Sequence, residues 1–161
     1  MNFTAIDFET ANHYRHSACA IGLVRVESSR IVERKVSLIR PPDKWFRFTH
    51  IHGITWDDVR DAPTFRDIWP DIEPLITAGE FLAAHNAPFD RSVLFNTCKY
   101  YQIEPPPVSF RCTMQLARNE LGIYPTRLPD VCRRLGIELD NHHEALADAL
   151  ACARIVLHAC R

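Results

Sequence analysis

With 161 residues, 47% of them apolar, the chain can build one compact core, and a net charge of −1 excludes a protein that coats long stretches of nucleic acid through a broad basic face, while leaving room to hold a chain end in a small cleft. No apolar run approaches the length of a membrane-spanning helix, and the chain enters a strand at once with no basic-then-apolar leader, so a cytoplasmic protein without membrane association is expected. Six scattered cysteines form no C-x-x-C pair, which argues against a structural zinc site and reads as small, buried, reduced thiols.

Residues 3–9 alternate as a strand does, so Asp7 and Glu9 emerge on one face while Ile6 and Phe8 point to the other. Two carboxylates at so apolar a strand end repel each other unless a cation lies between them. An isolated D-x-E is more often a strand end opening into water, so the pair acquires meaning only from residues further along the chain. Beyond the polar residues 11–16, an apolar run over 18–26, a turn at 27–30 and a second alternating run over 31–39 predict three antiparallel strands. Residues 45–55 show no clear period and read as an aromatic loop, with Thr55 as N-cap of a short acidic helix. In that loop His52, beside Gly53, stands out as a ligand contact, whereas Trp45 and Phe46 are as well explained by packing under the loop.

Phe65, Ile68, Trp69, Ile72, Leu75 and Ile76 recur at helical spacing, one face against a sheet. The apolar run 81–84 is a short strand of the buried, parallel kind, and it leads through Asn86 to Pro88, which suits the first turn of a helix reaching residue 101. Asp90 then lies in that first turn, just past a strand's carboxyl end, where open α/β sheets bind ligands. A short strand near 108–110, a helix over 113–121 and another over 128–135 ended by Gly136 complete the pattern before the last helix. Absence of repeats and linkers gives one domain over 1–161. In the stretch from Asn141 to Ala149, His143 and Asp148 are five residues apart, too far round a helix to meet if both were helical, so His143 belongs on the preceding loop, from where it can fold over Asp148.

Asp7-Phe8-Glu9-Thr10, His85-Asn86-Ala87-Pro88-Phe89-Asp90 and the H-x4-D of His143 and Asp148 together resemble the DEDDh family of 3′-to-5′ exonucleases, the DnaQ-like group of the ribonuclease H-like fold, which includes the proofreading subunit's exonuclease domain. The resemblance spans nearly the whole chain and implies a three-layer α/β/α fold around a mixed five-stranded sheet. It implies that Asp7 bridges two cations, that Glu9 and Asp148 complete one of them and Asp90 serves the other, and that His143 is the general base for the attacking water, with His142 as the competing assignment. Hydrolysis of a phosphodiester is well served by two cations roughly 3.5–4 Å apart, and an all-oxygen donor set favours Mg²⁺, with Mn²⁺ as substitute.

By the same resemblance the substrate is the 3′ end of single-stranded DNA or RNA, released as 5′-mononucleotides in replication proofreading or repair. Thr10 and Ala11 meet the terminal nucleotide through backbone groups, and His52 and Asn86 flank its sugar or phosphate. Residues 111–113 and 126–129 depart from the family pattern and bear on substrate fit. The chain shows no tail after its last helix of the kind that tethers a proofreading subunit, which weakens but does not remove the expectation of DNA polymerase association. The alternatives are an oligoribonuclease-like enzyme on very short RNA and a non-catalytic polymerase-associated binding module.

Overall fold

The computed structural model describes residues 1–161 and holds a five-stranded sheet in the order β3-β2-β1-β4-β5. β1 (Phe3–Thr10), β2 (Ala18–Glu27) and β3 (Arg30–Leu38) form an antiparallel meander, and β4 (Leu82–Ala84) and β5 (Phe110–Cys112) add to the other edge of β1 in parallel. Ser28 and Ser29, both at positive φ, make the two-residue turn whose twist matches that of the paired strands. β5 lies two residues later than the sequence pattern places it, because its pairing follows β4, with Leu82 opposite Phe110 and Ala84 opposite Cys112.

Each strand face is covered. Ile6, Phe8, Ile21, Leu23 and Leu82 turn to one side, against Phe65, Ile68, Trp69, Ile72 and Ile76 of α3 (Phe65–Thr77, after the short α1 and α2) and Val93, Leu94 and Cys98 of α4 (Ala87–Tyr100). Phe3, Ala5, Val24, Val26 and Ala83 turn to the other, against Ala149, Cys152, Ala153 and Val156 of α7 (Ala145–Ala159). Behind α7 lie α5 (Thr113–Asn119) and α6 (Leu128–Leu135), packed on it through Leu116, Leu128, Val131 and Ile155. The three layers expected from the sequence are therefore present, and no helix is long and apolar enough to cross a membrane.

Two expectations need correction. The stretch read as a loop contains one helical turn, α1 (Thr49–His52), closed by Gly53 in the left-handed conformation. It escapes notice because a single turn has no periodicity to display. All six cysteines are free, but Cys160 is exposed and Cys112 only half-buried, so the uniformly buried set does not hold. The capping expectation does: Thr55 donates its backbone N–H to Asp58 Oδ2 (2.8 Å) ahead of α2 (Trp56–Val59), and at α3 Thr64 donates its N–H to Asp67 Oδ2 (2.9 Å) while its hydroxyl accepts the Asp67 N–H (3.2 Å).

The seating of α7 depends on one residue. Asp7 pairs with Gly22 across the β1–β2 ladder, and a Cβ built on Gly22 would stand 2.3 Å from the Ala145 carbonyl oxygen. The first turn of α7 thus rests on bare backbone directly beside Asp7. Gly22→Ala is expected to destabilise the fold by about 1–3 kcal/mol through overpacking. Because it would lift the start of α7 from the sheet, it should also remove more activity than an equally destabilising change in the α3 interface; urea unfolding and turnover assays on both variants check this.

Candidate active site

Asp7 and Glu9 share the parity of Phe3 and Ala5 and so face α7 from the carboxyl end of β1. Asp148 comes down from the first turn of α7 to meet them: one carboxylate oxygen from each of the three lies within 4.8 Å of the others. Asp90, in the first turn of α4, reaches β1 from the opposite direction, and its Oδ1 accepts the Phe8 backbone N–H at 2.9 Å. That amide is free because β4 pairs with β1 only at Thr4 and Ala5. The structure therefore brings all four predicted acids to the ends of β1 and β4.

Their electrostatics is unfavourable as it stands. Glu9, Asp90 and Asp148 are buried, and Asp7 Oδ2 is buried with no hydrogen-bond partner. No lysine or arginine pairs with any of the four; the nearest basic side chain is the His142 imidazole, which contacts Asp148. Burial first, then the charges of Asp90, Asp148 and Glu9, push the Asp7 carboxyl well above the usual range. Burial and the neighbouring Asp148 and Asp90 raise Glu9 to about 8. Asp90 also rises to about 8 through burial, against the opposing pull of the Phe8 amide. Converging buried carboxylates, one with an orphaned oxygen, fit a hard divalent cation, which would replace the missing positive charge.

His143 lies on the loop before α7, as expected, in a left-handed conformation (φ 71°). What touches Asp148 is its backbone N–H, at 3.1 Å from Oδ2, while its ring stacks on that of His142 with centroids 3.7 Å apart. The imidazole folded over Asp148 is that of His142, whose Nδ1 donates to both carboxylate oxygens at 3.0 and 3.1 Å. Burial, then the neighbouring His142, lowers the pKa of His143, with Asp148 opposing. Burial lowers the pKa of His52, against the opposing bond to the Thr10 carbonyl and with smaller contributions from His143 and His50.

Beside Glu9 opens a cavity of about 400 Å³ lined by Phe8, Thr10, His13, Arg15, Phe48, Ile51, His52 and Phe89. Ile54 donates its N–H to His52 Nδ1 (3.0 Å), which leaves Nε2 to donate to the Thr10 carbonyl (2.9 Å) and fixes the ring against the strand end. Thr10 and His52 thus stand where a ligand would lie. Ala11 does not: it is fully buried, its N–H is given to Ser17 and its carbonyl accepts from Arg47 and Phe48, so its backbone groups are spent inside the protein. Asn86 is exposed, in a left-handed turn ahead of α4, and does not line the cavity. Sequence reading missed Arg15, whose guanidinium lies 4.8 Å over the Phe89 ring; only its place on the loop after the first motif hints at it. Within residues 111–113 and 126–129, Thr113 Oγ1 and the Thr126 carbonyl hold the two ring nitrogens of His85 at 2.8 and 2.7 Å. Burial lowers the pKa of that ring, against the opposing Thr126 carbonyl, and its two bonds brace the second motif.

Residues 4–156 match the family model described as Exonuclease. The chain is 33% identical over 156 residues to the PolC-type DNA polymerase III of Oceanobacillus iheyensis, covering 92% of this chain and 11% of that protein, so it spans about a tenth of the relative's length. Among solved structures it is similar to Exonuclease X in complex with 5′-overhanging duplex DNA (26% identity, TM-score 0.73, covering 96% of this chain and 90% of that one). The fold is shared with the nuclease domain of 3′hExo, a DEDDh family member bound to rAMP (21% identity, TM-score 0.80, 97% and 90% covered). With its acids gathered around the carboxyl end of β1 and its sequence matched from β1 to α7, the chain belongs to the exonuclease family.

Proposed function

We propose that this chain removes nucleotides one at a time from the 3′ end of single-stranded DNA or RNA, with Asp7, Glu9, Asp90 and Asp148 holding two Mg²⁺ ions, or Mn²⁺ in their place. The observation that carries the reading is the convergence of Asp7, Glu9 and Asp148 with no basic residue to balance them, beside a cavity large enough for a small ligand. When bound, such ions supply charge neutralisation at the phosphoryl oxygens and a more acidic attacking water. Asp7, under the charges of both Asp148 and Asp90, would be shared between the ions, and Asp90, tied to the Phe8 amide through Oδ1, would help to hold the second. His143, with its lowered pKa, is a neutral imidazole at neutral pH and takes the proton of the attacking water. His142 has one nitrogen committed to Asp148 and positions that carboxylate. Thr10 and His52 hold the terminal nucleotide in the cavity, with Phe8 and Phe89 offering apolar walls. The likeness to a segment of PolC-type DNA polymerase III and to Exonuclease X supports DNA as the substrate and a proofreading or repair setting.

A 5′-labelled single strand should be shortened stepwise from its 3′ end with Mg²⁺ and stay intact with EDTA. His143→Ala should lose roughly 10²–10⁴-fold in kcat, the usual contribution of a general base, and His142→Ala clearly less. Parent-like turnover in His143→Ala would remove the base assignment, and an intact strand in Mg²⁺ would remove the activity.

The raised carboxyl pKa values make a second measurable statement. Glu9 and Asp90 titrate near 8 in the fold and near the ordinary value of about 4 when unfolded, so the folded, metal-free chain holds protons that the unfolded chain releases. Stability from these groups is full below about pH 4 and is lost as pH rises through about 8. In EDTA the Tm should therefore fall between about pH 6 and about pH 8, and millimolar Mg²⁺ should raise it more at the higher pH. Asp7→Asn should raise the Tm in EDTA and blunt the Mg²⁺ response; calorimetry across pH checks both.

A further inference from the structure

A row of aromatic rings leaves the cavity along the loop between β1 and β2 and has no part in the chemistry above. His13 contacts Tyr14 (centroids 4.9 Å) and meets Trp45 edge-on (4.9 Å); Tyr14 stacks on His16 (5.5 Å, 15°), and His16 stacks on Tyr100 of α4 (4.8 Å, 15°). These rings are not core. Tyr14, Trp45 and Tyr100 are 49%, 43% and 51% exposed, an unusual loss of apolar burial for three large side chains packed side by side.

The backbone beneath them is held firmly. Asn12, buried, donates its side-chain amide to the Trp45 carbonyl (2.9 Å) and accepts the Tyr14 N–H (2.9 Å). The Ser17 hydroxyl accepts the Asn12 N–H and donates to the Tyr14 carbonyl, and the Thr97 hydroxyl of α4 donates to the Arg15 carbonyl. The rings are thus arranged before any partner arrives, which lowers the ordering cost of binding.

We propose that this row is a track for the strand upstream of the 3′-terminal nucleotide of a single-stranded nucleic acid, its bases packing on the rings. The proposal rests on the exonuclease reading of the neighbouring site and extends it to nucleotides that the cavity does not hold. Two observations choose the occupant. The track is continuous with the cavity, since His13 belongs to both and Arg15 lies on the same loop. Exposed cations are its neighbours in sequence: Arg15 between Tyr14 and His16, with its guanidinium over Phe89 at the cavity, Arg47 two residues beyond Trp45, and Lys99 next to Tyr100. Rings interleaved with cations are the pattern that binds single strands without reading their sequence, because every base has a π-face and every linkage a charge.

The test compares a thymidylate strand of about twelve nucleotides with a dinucleotide in the presence of Mg²⁺. The ratio of kcat/KM for the long strand to that for the short one should fall roughly tenfold for Tyr14→Ala and for Tyr100→Ala, and more in the double variant. Tyr14→Phe and Tyr100→Phe keep the rings and should keep the parent ratio. An unchanged ratio in both alanine variants overturns the track and leaves the exonuclease reading standing. If the parent degrades neither substrate, the exonuclease reading fails and binding decides the track: in EDTA, fluorescence anisotropy of the 5′-labelled long strand should show Kd weakened by a similar factor in the alanine variants, and equal Kd values overturn it.

Discussion

Mutual repulsion among Asp7, Glu9, Asp90 and Asp148 is the constraint around which the molecule is built. No lysine or arginine pairs with them, so the metal-free fold relieves the repulsion only by keeping protons on carboxyls such as Glu9 and Asp90, and Asp7 keeps a buried oxygen without a partner. Left to themselves such groups would drive β1, α4 and α7 apart. Apolar burial holds them together: Ile6 and Phe8, on the opposite face of the same strand, are locked under α3 and α4, and each fully buried side chain of that size contributes roughly 1.5–3 kcal/mol. The strand is thus stabilised on one face and stressed on the other, a division of labour expected where stability is given up for a functional site.

The small residues on the stressed face answer the same constraint. Gly22 lets the first turn of α7 settle onto β2 beside Asp7, and Ala149 and Ala153 continue the close approach further along. A bulkier residue at either surface would hold Asp148 away from β1, and the charge density that attracts a cation would be diluted. The parallel pairing of β1 with β4 matters equally, because it puts the carboxyl ends of both strands on one edge and brings Asp90 there without any long loop.

Most of this was legible in the sequence because it is carried by local periodicity. The alternation in β1 places Asp7 and Glu9 together, Pro88 places Asp90 in a first turn, and the five-residue offset of His143 from Asp148 puts the histidine outside α7; each is a property of a few adjacent residues. What the sequence could not show is contact between distant segments. That the ring on Asp148 belongs to His142, with His143 giving its amide, depends on a left-handed backbone at His143 that no pattern announces. The burial of Ala11 depends on Ser17, Arg47 and Phe48 claiming its backbone, and the brace on His85 depends on threonines 28 and 41 residues downstream. The row of rings is assembled from three separate segments and reads as unrelated aromatics in one dimension.

The bond from the Phe8 amide to Asp90 joins a ligand group directly to the main chain of the central strand. That amide has no β4 partner, so its protection rests on Asp90 keeping its place. The exchange of this one peptide hydrogen with solvent deuterium would therefore speed up whenever Asp90 leaves the strand.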